Sequence, residues 1–136
     1  MKMDKPHFGR LEHMARYLDK LPPERFNYCT SADRDECGSV GCAIGHTTHV
    51  FPKIVKLSYL CPKLVGDSGL RISSYAHIGM AVFNVSLEES LELFTPDTAS
   101  KFSDIWLDGK AKPTEVARHI RRYIKWKKKE LKNAPV

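Results

Sequence analysis

The chain has 136 residues, 42% of them hydrophobic and 28% charged. That is enough length for one domain with its own core, and the balance excludes wholesale disorder. No apolar run approaches the length of a membrane-spanning helix, and the net charge of +6 points to an acidic or polyanionic partner.

Residues 8–21 place Leu11, Met14, Ala15, Leu18 and Leu21 at three- and four-residue spacing. That spacing predicts an amphipathic helix, stopped by Pro22-Pro23. Residues 29–38 form a polar loop. A second helix is expected from about Ser39 to Val50, rich in small residues and buried, with Gly41 and Gly45 allowing close packing. Over residues 54–72 a short irregular segment or hairpin is expected around Gly66-Asp67-Ser68-Gly69, with Pro62 confined to an edge. A third helix at about 75–83 buries Tyr75, Ile78, Met80, Val82 and Phe83 and ends at Asn84-Val85. Ser86-Leu87-Glu88-Glu89 reads as a capping box. It opens a helix over 87–94 whose apolar side is Leu87, Leu91 and Phe94. Another helix is expected at about 97–107, ended by Gly109, and a last one at about 113–132 with Pro113 in its first turn. The last helix buries Val116, Ala117, Ile120, Tyr123 and Ile124. The sum is a single, mainly α domain over 1–136, of five or six helices.

The charge is uneven. Residues 110–136 hold ten basic and two acidic side chains, a net +8, which leaves residues 1–109 at −2. The stripe His119, Arg121, Arg122, Lys125, Lys128, Lys129 and Lys132 is the strongest functional signal in the chain. On a helical wheel Arg118, Arg121, Arg122, Lys125, Lys128, Lys129 and Lys132 cover the side away from Ile120 and Ile124. Trp126 falls among them. A basic helix carrying a Trp suits an acidic protein surface or nucleic acid, and these eight residues are the candidate binding site. A solvated face with Trp126 wrapped against a neighbouring helix is the competing reading.

Cys29, Cys37, Cys42, His46 and His49 are spaced C-x7-C-x4-C-x3-H-x2-H. Zinc takes four such ligands, and Cys42 and His46 share a helical face, but no C-x2-C knuckle is present. A buried Cys42 packed as a small hydrophobe accounts for the same residues. Cys37 with His46 or His49 as base and Asp33 or Asp35 as orienter would be a thiol hydrolase, although no peptidase signature fits. The expectation is no enzyme, no metal and no cofactor.

The stretch Cys37-Gly38-Ser39-Val40-Gly41-Cys42-Ala43-Ile44-Gly45-His46 resembles a loose group of small phage and bacterial proteins sharing C-G-[ST]-x-[GA]-C-A-x-G. The likeness continues through Ala81-Val82-Phe83-Asn84-Val85-Ser86, Leu93-Phe94 and the closing Pro113-Thr114-Glu115-Val116-Ala117-Arg118-His119-Ile120. The resemblance implies a compact helical accessory protein of a phage or mobile element and assigns no activity. The functional expectation is a non-catalytic binder that docks its basic helix on an acidic protein surface and modulates a host machine handling nucleic acid. A direct nucleic-acid binder, a zinc-stabilised adaptor and a thiol hydrolase are the alternatives. The N-terminal stretch MKMDKPHFGRLEHM has no apolar signal-peptide core. A cytoplasmic location is therefore expected, in the host cytoplasm if phage-encoded, with reduced thiols and no membrane partner.

Overall fold

The structure is a computed structural model that describes residues 5–22, 43–58, 61–65, 75–94, 100–103 and 111–133. Among these residues the protein is mainly α. Its elements are α1 (Phe8–Lys20), α2 (Ala43–Val50), β1 (Val55–Ser58), β2 (Cys61–Leu64), α3 (Tyr75–Phe83), α4 (Leu87–Phe94) and α5 (Pro113–Asn133).

α1 and α5 pack along each other over the largest helix–helix contact, and α3 packs on α4. The expected stripe of α1 is the one it buries: Leu11, Met14, Ala15 and Leu18 are fully enclosed. Opposite them α5 contributes Val116, Ala117, Ile120 and Tyr123, and α3 contributes Ile78, Val82 and Phe83. Each enclosed Val, Leu, Ile, Met or Phe side chain is worth about 1.5–3 kcal/mol, so this cluster is a large part of the folding drive.

The C-terminus of α3 shows how the chain ends are tied in. The last carbonyls of a helix have no partner within it. Here Arg10 donates to the Val82 carbonyl at 2.8 Å, and the His7 N–H donates to the Phe83 carbonyl at 2.8 Å. Asn84 then adopts a left-handed φ of 55°, a conformation asparagine tolerates better than most residues. Its side-chain amide donates to the Lys5 carbonyl at 2.9 Å. The turn then leads directly into the capping box: the Glu89 N–H donates to Ser86 Oγ and the Ser86 N–H to Glu89 Oε1, both at 3.1 Å.

Three expectations change. The paired strands both precede Gly66: β1 and β2 are antiparallel with Ser58 opposite Cys61, and the Gly66–Gly69 turn expected between them lies outside the described residues. Bonded pairs alternate along such a ladder. The Val65 N–H donates to the Ile54 carbonyl, which makes Leu57–Pro62 a non-bonded pair. The missing N–H of Pro62 therefore costs nothing. Secondly, within the helix expected at 97–107, residues 100–103 form a bend. Ser100 Oγ donates to the Ser103 carbonyl at 3.2 Å, the local side-chain bonding that competes with helix. The remainder of that span, and the polar loop at 29–38, lie outside the described residues. Thirdly, α4 is turned over. Phe94 is buried as expected, but Leu87 and Leu91 are 44% and 39% exposed, while Glu89, Ser90 and Glu92 face inward.

Candidate functional site: the basic face of α5

α5 begins at Pro113, whose fixed φ suits a first helical position. Glu115 Oε1 accepts from the Lys112 N–H at 2.9 Å, closing the first turn. Glu115 at this end and Lys132 in the last turn both complement the helix dipole. The helix is wedged between α1 on one flank and α4 with residues 100–103 on the other.

That wedging sorts the basic residues into two groups. One group is used inside the molecule. Arg121 reaches α1, where its guanidinium pairs with Asp19 at 2.7 Å and Glu12 at 3.3 Å. The Lys128 ammonium lies 5.3 Å from the centre of the Phe8 ring. Lys127, which belongs to no expected site, turns inward and pairs with Glu89 at 2.8 Å. Burial pushes the Glu89 carboxyl up, but Lys127 and the Ser86 N–H and hydroxyl outweigh it and hold it below its ordinary value.

The other group is Arg118, Arg122, Lys125, Lys129 and Lys132, all exposed. Their spacing alternates four and three residues. At about 100° per residue they fall within an arc of about 80°, and at about 1.5 Å per residue the row is about 21 Å long. No ion pair joins Arg118, Lys125, Lys129 or Lys132 to another described residue.

Trp126 sits at the edge of this row, half-buried. Its indole packs against Phe102 and Tyr123, with ring centres 5.9 Å and 6.2 Å apart. The ammoniums of Lys101 and Lys127 each lie 5.8 Å from its centroid. The ring therefore braces α5 against residues 100–103.

Beneath Trp126 lies a buried polar cluster that the sequence did not announce. His119 Nε2 donates to the Glu92 carbonyl at 2.8 Å. That bond assigns the proton of the neutral ring to Nε2 and leaves Nδ1, which has no hydrogen-bond partner among the described residues, as the bare acceptor. Glu92 Oε2 and the Tyr123 hydroxyl likewise have no hydrogen-bond partner among the described residues. Burial lowers the His119 pKa, opposed by the Glu92 carbonyl and reinforced by Arg122. Burial raises that of Glu92, with Glu88 and Glu89 adding to the rise and Lys101 opposing it. Tyr123 is pushed far up by burial and by the nearby Glu89 and Glu92 carboxylates. His119 is expected in the basic stripe, but the structure buries it: on the wheel His119 and Lys127 fall beside Val116, Ile120 and Tyr123, away from the basic side, and that angle was the signal available.

Of the proposed zinc or thiol residues, Cys29, Cys37 and Cys42, with Asp33 and Asp35, lie outside the described residues. His46 is buried in α2, with Nδ1 2.9 Å from the Tyr17 hydroxyl of α1, and its ring centre is 5.8 Å from that of exposed His49. His46 thus ties α2 to α1. Among the described residues no group of three or more His, Cys, Asp and Glu side chains is placed to hold a metal, and no helix is long and apolar enough to cross a membrane.

Comparison with protein-family models, with curated proteins and with solved structures gives no match for this chain.

Proposed function

We propose that the protein is a non-catalytic binding module that docks on an acidic protein surface through the exposed row of α5. The observation that carries this reading is the sorting of cations. Arg121 and Lys127 are committed to carboxylates of the same chain, while Arg118, Lys125, Lys129 and Lys132, which form no ion pair with a described residue, make one solvent-facing line with exposed Arg122 among them. A line of cations on a helix braced from both flanks is a preorganised surface, and complementary charge across an interface speeds encounter and fixes register. Covering a partner requires no reaction. In the phage-type setting that the cysteine–glycine stretch suggests, the covered partner is a host machine that handles nucleic acid, met in the host cytoplasm.

The test is capture from host lysate by the wild type and by Arg122→Glu/Lys125→Glu/Lys129→Glu, with and without nuclease. The reading expects a partner that survives nuclease and is lost with the reversal. Capture that persists in the triple variant overturns it. Capture that nuclease abolishes, with affinity falling steeply and linearly on a log–log salt plot, assigns the row to nucleic acid instead.

A further inference from the structure

At its C-terminal end the basic row opens into a cleft. Phe8, in the first turn of α1, and Leu131, near the end of α5, form the apolar floor. Lys5, Lys128 and Lys132 form the rim, around about 420 Å³ of open space. Phe8 and Leu131 are half-buried and the three lysines are exposed. No ion pair joins any of these lysines to a described carboxylate. Lys132 belongs to both row and rim, so the two features are one continuous surface.

We propose that the cleft receives an aromatic side chain of the protein partner, and that the residues adjoining it in that partner are acidic and lie along the row. This inference rests on the docking reading given above and specifies the partner's contact segment. The floor offers an apolar ring and an aliphatic chain, which favour an apolar insert. The rim offers ammonium groups, which attract an aromatic face as Lys128 already attracts that of Phe8. Beyond the insert, the same ammoniums and the row favour carboxylates.

Two observations favour an acidic peptide over a nucleic acid. The row is one helix wide, and its α1 flank carries the carboxylates of Asp19 and Glu12 around Arg121. A duplex broader than the helix would bring phosphates against them. A single strand is held by successive stacking rings, whereas Phe8 is the one ring among the described residues that line the cleft, and Trp126 is occupied by Phe102 and Tyr123.

The probes are three labelled ligands at one ionic strength: oligoglutamate long enough to span the row, the same peptide ending in Trp, and an oligothymidylate of equal length. The wild type should bind the Trp peptide about fivefold or more tightly than plain oligoglutamate, and more tightly than the oligothymidylate. Leu131→Ser, at the exposed end of α5, should erase that gain and leave plain oligoglutamate bound as before. Phe8→Ala should do the same, with circular dichroism confirming that its helices remain. Arg122→Glu/Lys125→Glu/Lys129→Glu should weaken both peptides by about tenfold or more. A wild type that gains nothing from the Trp, or a gain that survives both floor variants, overturns the cleft while leaving the row intact. Tighter binding of the oligothymidylate overturns the choice of partner. Two peptides that bind the triple reversal as well as the wild type overturn the row itself, and the cleft with it.

Discussion

α4 and α5 are neighbours that obey opposite patterns. α5 keeps its apolar residues inward and a row of exposed cations outward, the arrangement its periodicity announces. α4 buries Glu89, Ser90 and Glu92 and shows solvent Leu87 and Leu91. The reason is what each helix has to satisfy. α5 is long and meets the core along one stripe. α4 is eight residues long, and its facing is fixed by three neighbours. The capping box holds Glu89 at the N-terminus, Lys127 pulls its carboxylate inward, and α3 approaches so closely that Gly79 lies against Ser90. A Cβ added at Gly79 would collide with Ser90 Oγ and come within 3.2 Å of the Phe94 ring. A short helix follows its polar anchors, whereas a long one follows its apolar stripe.

The largest effect that can break this comparison lies within α4. Leu93 is fully buried and Leu91 is 39% exposed, two residues apart in one helix. Leu93→Ala should cost about 2–5 kcal/mol, through lost burial and a cavity. Leu91→Ala should change stability by about 0.5 kcal/mol or less, because its solvent-facing side chain leaves no void. Urea unfolding of the two variants decides it. Equal costs would mean that Leu91 is enclosed in the core as Leu93 is.

The next effect concerns the link between the helices. Lys127→Met removes the ammonium and leaves the Glu89 carboxylate enclosed. Breaking a fully buried pair costs about 3–5 kcal/mol, and because Lys127 keeps some contact with water a loss of about 2–3 kcal/mol is expected here. Adding Glu89→Gln should restore part of it, and a double-mutant cycle by chemical denaturation measures the coupling. The sign with pH follows. Glu89 titrates below its ordinary value in the folded protein. Its contribution is therefore present at neutral pH and is lost as pH falls through the folded pKa, and Lys127→Met should flatten that acid slope.

These two helices also show what was legible beforehand. The bounds of α1, α3, α4 and α5, the capping box and the buried stripe of α5 followed from spacing and turn chemistry, because each depends on residues within a few positions of one another. The facing of α4 did not follow, since Lys127 lies far from Glu89 along the chain and Gly79 opposes Ser90 from another helix. The hairpin falls within the expected 54–72 span, but its paired strands both precede the expected turn, for a related reason. Gly66-Asp67-Ser68-Gly69 is the stronger local turn signal, yet the strands pair where Val55 and Leu64 can face each other. Of the eight candidate binding residues, Arg118, Arg122, Lys125, Lys129 and Lys132 lie on one exposed face. Arg121, Trp126 and Lys128 are engaged by Asp19, Phe102 and Phe8, partners that no helical wheel of α5 contains.

A smaller effect tests the buried cluster between the two helices. Burial holds His119 below its ordinary value of 6.5, so the neutral ring stabilises the fold above that pH. As pH falls from about 7 through 6.5 toward the folded pKa, the unfolded chain takes up the proton first and stability declines. Glu92 has the opposite sign. Its raised pKa stabilises the fold at low pH, and that contribution fades as pH rises through the folded value. The melting temperature of the wild type should therefore fall on mild acidification. His119→Gln should remove that fall, and Glu92→Gln should steepen it by removing the opposing group. A flat wild-type profile that His119→Gln leaves unchanged would show that His119 is not enclosed between α4 and α5.

The smallest expected effect separates the two classes of cation on α5 itself. Arg121 and Lys125 lie four residues apart, yet one is held by Asp19 and Glu12 and the other is exposed on the row with no ion pair to a described residue. Arg121→Gln should cost about 0.3–1 kcal/mol at low salt. Its side chain and those of Asp19 and Glu12 are all more than a third exposed, and water screens such pairs heavily. High salt should erase the cost, because screening at short Debye length removes what little Coulomb attraction remains. Lys125→Gln should leave stability essentially unchanged, within about 0.5 kcal/mol, at either salt concentration. The two substitutions should then exchange order when the row's affinity for an acidic peptide is measured. Lys125→Gln removes a cation from the row, while Arg121→Gln frees two carboxylates only at its flank. If both variants lose affinity equally and neither loses stability, Arg121 belongs to the row and the division of α5 into bracing and docking cations fails.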